Sequence, residues 1–251
     1  MTENNIQKRI GETWLMISPF KTSGIAILVG SAIGIASYVT SPLPSMAQPT
    51  AGANSGHCVP AIATGRVRCE YDNGDSYIGN FVNGLPGGTG VYVYSGGDRY
   101  EGQFRLGQPN GRGLFIFKDD ARVEGIFRNG KISSGTAIFT NGDRYVGPFS
   151  LDRKVGVPTG QGQFIFANGD RFVGQFLGGK PLGTGVFTRV DGTRCSGQFF
   201  SQELDARGTC AFSNGIRYEG ELRKGLPHGK GTIIDTRGKR FPGVFREGKR
   251  Q

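Results

Sequence analysis

The sequence predicts an all-β fold: an elongated rod of antiparallel β-hairpin repeats, preceded by a separate N-terminal hydrophobic helix. Three observations predict it. First, one phrase restarts along the chain: an aromatic residue, a Gly two places on, usually a Phe two after that, then spaced glycines. The opening residue falls at Tyr77, Tyr100, Val123, Tyr145, Phe172, Cys195, Tyr218 and Phe241, in steps of 23, 23, 22, 27, 23, 23 and 23 residues. Periods of this size mark repeat architectures, in which a unit too small to bury its own apolar face stacks on its neighbours. Second, 44 of the 251 residues are Gly, far above the usual share of about 7%. Disorder is excluded because 18 Phe and 8 Tyr stand mostly at fixed offsets from those glycines, and disordered segments are poor in aromatics. Third, positions one, three and five of a repeat alternate large, Gly, large, as in Tyr100, Gly102 and Phe104, which is the period of a strand.

Residues 1–47 stand apart from the repeats. Ile25 to Val39 is an uncharged apolar run, preceded by Lys8, Arg9 and Lys21 and followed by SPLPSMAQ. A basic start, an apolar stretch and a small-residue site make a secretory signal peptide, with cleavage expected after Ala47. The competing reading is a retained membrane anchor over residues 25–39, a transmembrane helix if the run extends toward the roughly 20 residues a span needs. Both readings export the chain to the periplasm or beyond. Residues 48–65, rich in Ala, Gly, Pro, Ser and Thr, read as a flexible linker. The repeat domain then runs from 66 to 251, with about seven full repeats and a partial last one.

Each repeat reads as one hairpin. Its first strand carries the opening aromatic, and its second carries inward residues two and four places after another Gly, such as Phe115 and Phe117 after Gly113. A Gly in mid-strand is costly unless another group must approach closely, so aromatic rings are expected to pack over it. Asn141-Gly142, Asn168-Gly169 and Asn214-Gly215 lie between successive repeats and predict two-residue turns with both central residues at positive φ. The turn within a repeat reads as longer, as in GQPNGRG from Gly107 to Gly113. Strands about 4.8 Å apart, two per repeat, give a rod of about 70 Å for seven copies.

The pattern Y-x-G-x-F-x-x-G-x-x-x-G-x-G resembles the MORN (membrane occupation and recognition nexus) repeat. The resemblance covers residues 77–251, and the copy at Tyr100 matches every marked place. Other copies depart: the repeat from Val123 is one residue short, that from Tyr145 has an insertion around Asp152 to Pro158, that from Cys195 has Ala206 for a Gly, and that from Tyr218 has Leu222 for Phe. The resemblance implies scaffolding and interaction, with binding of phospholipid headgroups, and no chemistry of its own.

Four cysteines, Cys58, Cys69, Cys195 and Cys210, allow three pairings. In an exported chain an even number favours disulfides, and local geometry favours Cys58 with Cys69 and Cys195 with Cys210. The latter two occupy the first and sixteenth positions of one repeat, facing each other across its hairpin. Free buried thiols are the alternative. No Cys-x-x-Cys spacing or nearby His completes a zinc set, and no cofactor is expected.

The formal charge is +10. Residues 1–47 carry three cations against Glu3 and Glu12, so +9 remains after their removal, suited to anionic partners. An arginine precedes seven of the eight opening residues: Arg99, Arg122, Arg144, Arg171, Arg194, Arg217 and Arg240. Alternation puts this ladder on the face opposite the aromatics. Glu101, Glu124 and Glu219, two residues further along, are placed to pair with Arg99, Arg122 and Arg217. Val146, Val173 and Ser196 stand there in the central copies, which leaves Arg144, Arg171 and Arg194 as an anion-binding stripe, tempered by Asp143 and Asp170 beside them. The plainer reading is a solvated face that resists aggregation.

Enzyme readings fail for want of residues. The histidines are His57, in the linker, and His228, in a stretch read as an ordinary repeat turn; no Ser–His–acid set or phosphate-binding helix accompanies them. Nucleic acid is disfavoured as a partner, because the rings are needed in the core and export removes the target. The sequence thus reads as a non-catalytic binding or scaffolding module outside the cytoplasm. It would contact phospholipid headgroups or a protein partner, and no small-molecule substrate. The alternative is a structural component of the cell envelope that binds anionic wall polymers.

Overall fold

In the computed structural model, residues 56–151 and 156–251 are described. The signal-or-anchor reading of residues 1–47 lies outside them, as does most of the insertion after Leu151. The described chain is all strand and turn, and every strand pairing is antiparallel. The strands fall into two units, one ending at Thr159 and the other beginning at Gly160.

The first unit is a meander of β1 (Gly56–Val59), β2 (Gly65–Tyr71), β3 (Ser76–Val82), β4 (Leu85–Val93), β5 (Arg99–Arg105), β6 (Gln108–Ile116), β7 (Arg122–Arg128), β8 (Lys131–Ile138), β9 (Arg144–Ser150) and β10 (Val157–Pro158). The second is a meander of β11 (Gly160–Ile165), β12 (Arg171–Leu177), β13 (Lys180–Thr188), β14 (Arg194–Phe199), β15 (Ala206–Ala211), β16 (Arg217–Arg223), β17 (Leu226–Ile234), β18 (Arg240–Arg246) and β19 (Lys249–Arg250). Strand β1 falls inside the stretch 48–65 that composition reads as linker. It is held there by pairing with β2, with Cys58 opposite Cys69, so strand structure reaches ten residues upstream of Arg66.

The register explains the glycines. In the first unit Gly79, Gly90, Gly102, Gly113, Gly125, Gly135 and Gly147 pair in succession, one per strand. In the second, Gly162, Gly174, Gly185, Gly197, Gly208, Gly220, Gly231 and Gly243 do the same. A continuous glycine row therefore crosses each unit. The ring that lies over a glycine pair belongs to the same repeat: a Cβ at Gly174 would meet both the Gly185 Cα and the Phe172 ring at 2.7 Å. Where the ring is Tyr, its hydroxyl reaches a carbonyl just beyond the glycine, Tyr77 to Asn80 at 2.8 Å and Tyr218 to Glu221 at 2.8 Å. Tyr100 then packs edge to face on the Phe at position five of its own and the next repeat, Phe104 at 5.1 Å and Phe127 at 4.9 Å between centroids, an arrangement that aromatic quadrupoles favour; Tyr77 is instead stacked on its own Phe81.

The two kinds of turn are the reverse of the expectation. Within a repeat the turn is the tight one, as at Leu106-Gly107, with φ of 50° and 79° between the paired Arg105 and Gln108. The Gly- and Pro-rich stretch that follows is the second strand, bulged: Pro109 to Gly113 is four steps against two from Gly102 to Phe104. Gly111 supplies the left-handed φ of 108° that such a bulge uses. Between repeats a single residue is left-handed, a glycine as at Gly142 (φ 89°) or, before the repeat from Val123, Asp120 (φ 69°). There Gly142 N–H donates to Phe139 O and Phe139 N–H to Asp143 O, both at 2.9 Å. That is a three-residue loop, a type I turn closed by a glycine bulge.

Both turn rows tie one repeat to the next. Asp75, Asp98 and Asp170 accept through Oδ1 the N–H of Ser95, Lys118 and Val190, at 2.8, 3.0 and 3.0 Å. On the other side Gly107, Gly130 and Gly248 donate N–H to the carbonyls of Pro86, Pro109 and Pro227, each at 2.9 Å.

Candidate functional site

Alternation on each strand buries the opening residue and turns its neighbours outward. Tyr100, Tyr145, Phe172 and Tyr218 are fully buried, while all seven ladder arginines are exposed. Each rung opens a strand, and the strand between two rungs contributes an uncharged residue. In the second unit Arg171 and Arg194 both pair with Thr188, Arg194 and Arg217 with Ala211, and Arg217 and Arg240 with Ile234. Two strand spacings put successive rungs about 10 Å apart.

The ion pairs differ from the expected set. Arg99 does pair with Glu101, at 2.6 Å. Glu219, however, binds Arg240 of the following repeat at 2.6 Å and leaves Arg217. The reason is geometric: Arg240 reaches back across β17, where the residue opposite Glu219 is the small Thr232. Among the described residues Arg171, Arg194 and Arg217 form no ion pair, so the uncompensated run in the second unit is those three. Arg144, the remaining member of the expected stripe, is an exposed rung of the first unit. Asp170 makes no ion pair with Arg171: it is buried and is bound by Asn168 Nδ2 at 3.0 Å as well as by Val190 N–H.

Both cysteine pairs form disulfides, Cys58–Cys69 and Cys195–Cys210, between residues directly opposite on adjacent strands. Such bonds persist in oxidising surroundings, consistent with an exported location. Among the described residues no group of His, Cys, Asp and Glu is placed to hold a metal ion, and no helix is long and apolar enough to cross a membrane.

A second site was not anticipated. In the repeat from Cys195, Ala206 stands where the bulge glycines Gly88, Gly111, Gly183 and Gly229 adopt left-handed φ. An L-residue resists that conformation, and the bulge disappears: β14 and β15 pair without interruption from Cys195–Cys210 to Phe199–Ala206. The excess residues go into the loop from Phe200 to Asp205, closed by Phe200 N–H to Asp205 O at 3.0 Å. Beside it opens a cleft of about 400 Å³ lined by Phe200, Asp205, Ala206, Arg207, Glu221, Leu222, Arg223 and His228. His228, expected in a turn, lies on β17 opposite Glu221. The sequence signals are Ala206 and a Phe at position six, where the other copies carry Val82, Arg105, Arg128, Ser150, Leu177, Arg223 and Arg246.

Fold and register define a repeat protein of tandem two-stranded hairpins, each joined to the next through its glycine pair and both turns. The family model for the MORN repeat matches residues 77–99, 100–122, 156–171, 172–194 and 218–240. The chain belongs to the MORN-repeat family. Left unmatched within that span are the repeats from Val123 and Cys195 and the first part of the repeat from Tyr145, up to residue 155. No curated protein matches the chain. Similar solved structures include the SAS-4 (dCPAP) TCP domain of Drosophila melanogaster in complex with a proline-rich motif of Ana2, at 12% identity and a TM-score of 0.39, covering 78% of this chain and 94% of that one. A mutant TCP10 domain of Danio rerio CPAP is 14% identical, with a TM-score of 0.37 and coverage of 76% and 95%. A catalytically inactive virginiamycin B lyase from Staphylococcus aureus is 12% identical, with a TM-score of 0.18 and coverage of 77% and 74%. At these scores the likenesses carry no functional inference.

Proposed function

We propose that the chain is a non-catalytic binding module acting outside the cytoplasm, and that its outer face takes anionic phospholipid headgroups along the arginine row. The carrying observation is the run Arg171, Arg194 and Arg217: three exposed guanidinium groups at regular spacing without ion pairs, separated by uncharged Thr188 and Ala211. Guanidinium groups match phosphate oxygens in fork geometry. The two disulfides support a location outside the reducing cytoplasm. Arg144 is the equivalent rung of the first unit, with Val146 in place of a glutamate.

The test is co-sedimentation of the full chain with vesicles of phosphatidylglycerol and phosphatidylcholine, against phosphatidylcholine alone. Each basic residue near an anionic surface contributes about 1 kcal/mol, so replacing Arg171, Arg194 and Arg217 by Gln should weaken binding by roughly a hundredfold at low salt. The same substitution at the exposed Lys180, Lys230 and Lys249 removes equal charge away from the row and should cost much less. Salt should erase the difference, because exposed charges are screened. Equal losses would leave only overall charge and remove the row. Binding to an anionic wall polymer, with none to either vesicle, would move the reading to an envelope component.

A further inference from the structure

We propose that the cleft beside Ala206 is a second binding site, independent of the arginine row, and that its ligand is a carboxylate carried on an aromatic or branched apolar group. Its size, about 400 Å³, lies within the roughly 300–1,000 Å³ of small-ligand sites. The apolar half is made by Leu222 and Ala206, 3% and 1% exposed, and by the Phe200 side chain, 61% exposed. A ring left in water beside a buried apolar floor offers a second wall to a flat apolar group.

The polar half selects for an anion. Asp205 Oδ1 already accepts Lys224 N–H at 3.1 Å, and the Glu221 carboxylate pairs with Arg207 at 3.6 Å. Both acids of the lining are therefore engaged within the chain. Arg223 is exposed and has no ion pair among the described residues. His228 Nδ1 is buried without a hydrogen-bond partner, an uncommon condition for a polar atom. The unpaired guanidinium favours a carboxylate and disfavours a cation, and His228 Nδ1, when it carries the ring proton, is a second donor to the same group. The carboxylate lies between Arg223 and His228, and the apolar group between Phe200 and Leu222. Such a group occurs as a free small acid or as the carboxyl terminus of a polypeptide ending in an aromatic residue.

Titration of the full chain by calorimetry separates these sources. The probes are naphthoate against naphthamide, and the peptide acetyl-Gly-Gly-Phe as free acid against its amide. A charged hydrogen-bonded contact predicts that the acid of at least one pair binds about tenfold or more tighter than its amide. Arg223→Gln should lose about the same factor, while Arg246→Gln, at the equivalent place in the next repeat, should bind as the parent does. Phe200→Ser should weaken acid and amide alike. Both residues are exposed, so the variants should melt with the parent. Preference for naphthoate alone assigns a free acid, and preference for the peptide acid a chain terminus. Absence of binding by all four probes, equal binding of acid and amide in both pairs, or equal effects of Arg223→Gln and Arg246→Gln would overturn the proposal.

Discussion

The repeats opening at Tyr100 and at Cys195 are both 23 residues long, yet they hold their hairpins together by different means. In the first, the Tyr100 ring faces Phe115 and covers Gly102 and Gly113 so closely that a Cβ at Gly113 would meet the ring itself. In the second, ring and partner are replaced by the Cys195–Cys210 disulfide, and no ring lies nearest the glycine pair. The glycines persist all the same. A Cβ at Gly208 would meet the Gly197 Cα at 2.7 Å, and one at Gly197 the Gly208 Cα at 2.8 Å. The close approach of facing backbones is thus the first requirement of the glycine row, and the covering ring exploits it.

The largest effect should come from removing the ring. Tyr100→Ala deletes the side chain on which Phe104 and Phe127 stand edge-on, and a large aromatic lost from a core costs about 3–5 kcal/mol. Urea unfolding would show the loss, with hydrogen exchange locating it at residues 100–127. A cost of about 1 kcal/mol or less would mean that the backbone ladder holds this repeat without its ring, and the contrast with the repeat from Cys195 would collapse.

Next comes the covalent route. The Cys195–Cys210 bond closes a separation of 15 residues, and a loop of that size corresponds to about 3 kcal/mol in the chain-entropy account. Cys195→Ala with Cys210→Ala should destabilise β14 and β15 by that order in the same unfolding measurement. A reductant should do the same to the parent and nothing further to the variant at this repeat. A variant as stable as the parent would show that the buried Leu204 and Phe199 already hold the hairpin.

How much of this was legible follows the same contrast. The period, the strand alternation and both cysteine pairings stand in the sequence because each depends on spacing alone. The two kinds of turn are not separable by dipeptide because Asn-Gly serves both: Asn129-Gly130 is a tight turn with both φ positive, while in Asn141-Gly142 only the glycine is left-handed. What separates them is the number of residues between paired positions, a property of register that the dipeptide does not carry. The partner of Glu219 is hidden for a related reason, since Arg240 is near only once β17 lies between them. The cleft needed two steps, a lost bulge at Ala206 and the loop that absorbs the excess. Ala206 marks the first in the sequence; of the second, the sequence shows only the unusual Phe200 and not the path of the loop.

The smallest effect at neutral pH, and the one that most sharpens the contrast, is titration of the phenols. Burial raises the pKa of Tyr71 and of Tyr218 from 10.0 to about 12, with Asp75 and Glu221 respectively adding to the rise. Burial likewise pushes Tyr77, Tyr92, Tyr94, Tyr100 and Tyr145 upward. A folded-state pKa above the unfolded value means that the native state holds the proton more tightly. The stabilisation is then complete below about pH 10 and is lost as pH rises through the folded values. The phenolate absorbance of the folded chain should therefore lag that of the urea-unfolded chain, and the urea midpoint should fall on the alkaline side of pH 10. The hairpin of β14 and β15 contributes no phenol, so the double alanine variant at Cys195 and Cys210 should show the same alkaline decline from a lower starting stability. Phenolates forming near pH 10 with the strands intact would place the rings in contact with water, against the packing that distinguishes the repeat from Tyr100.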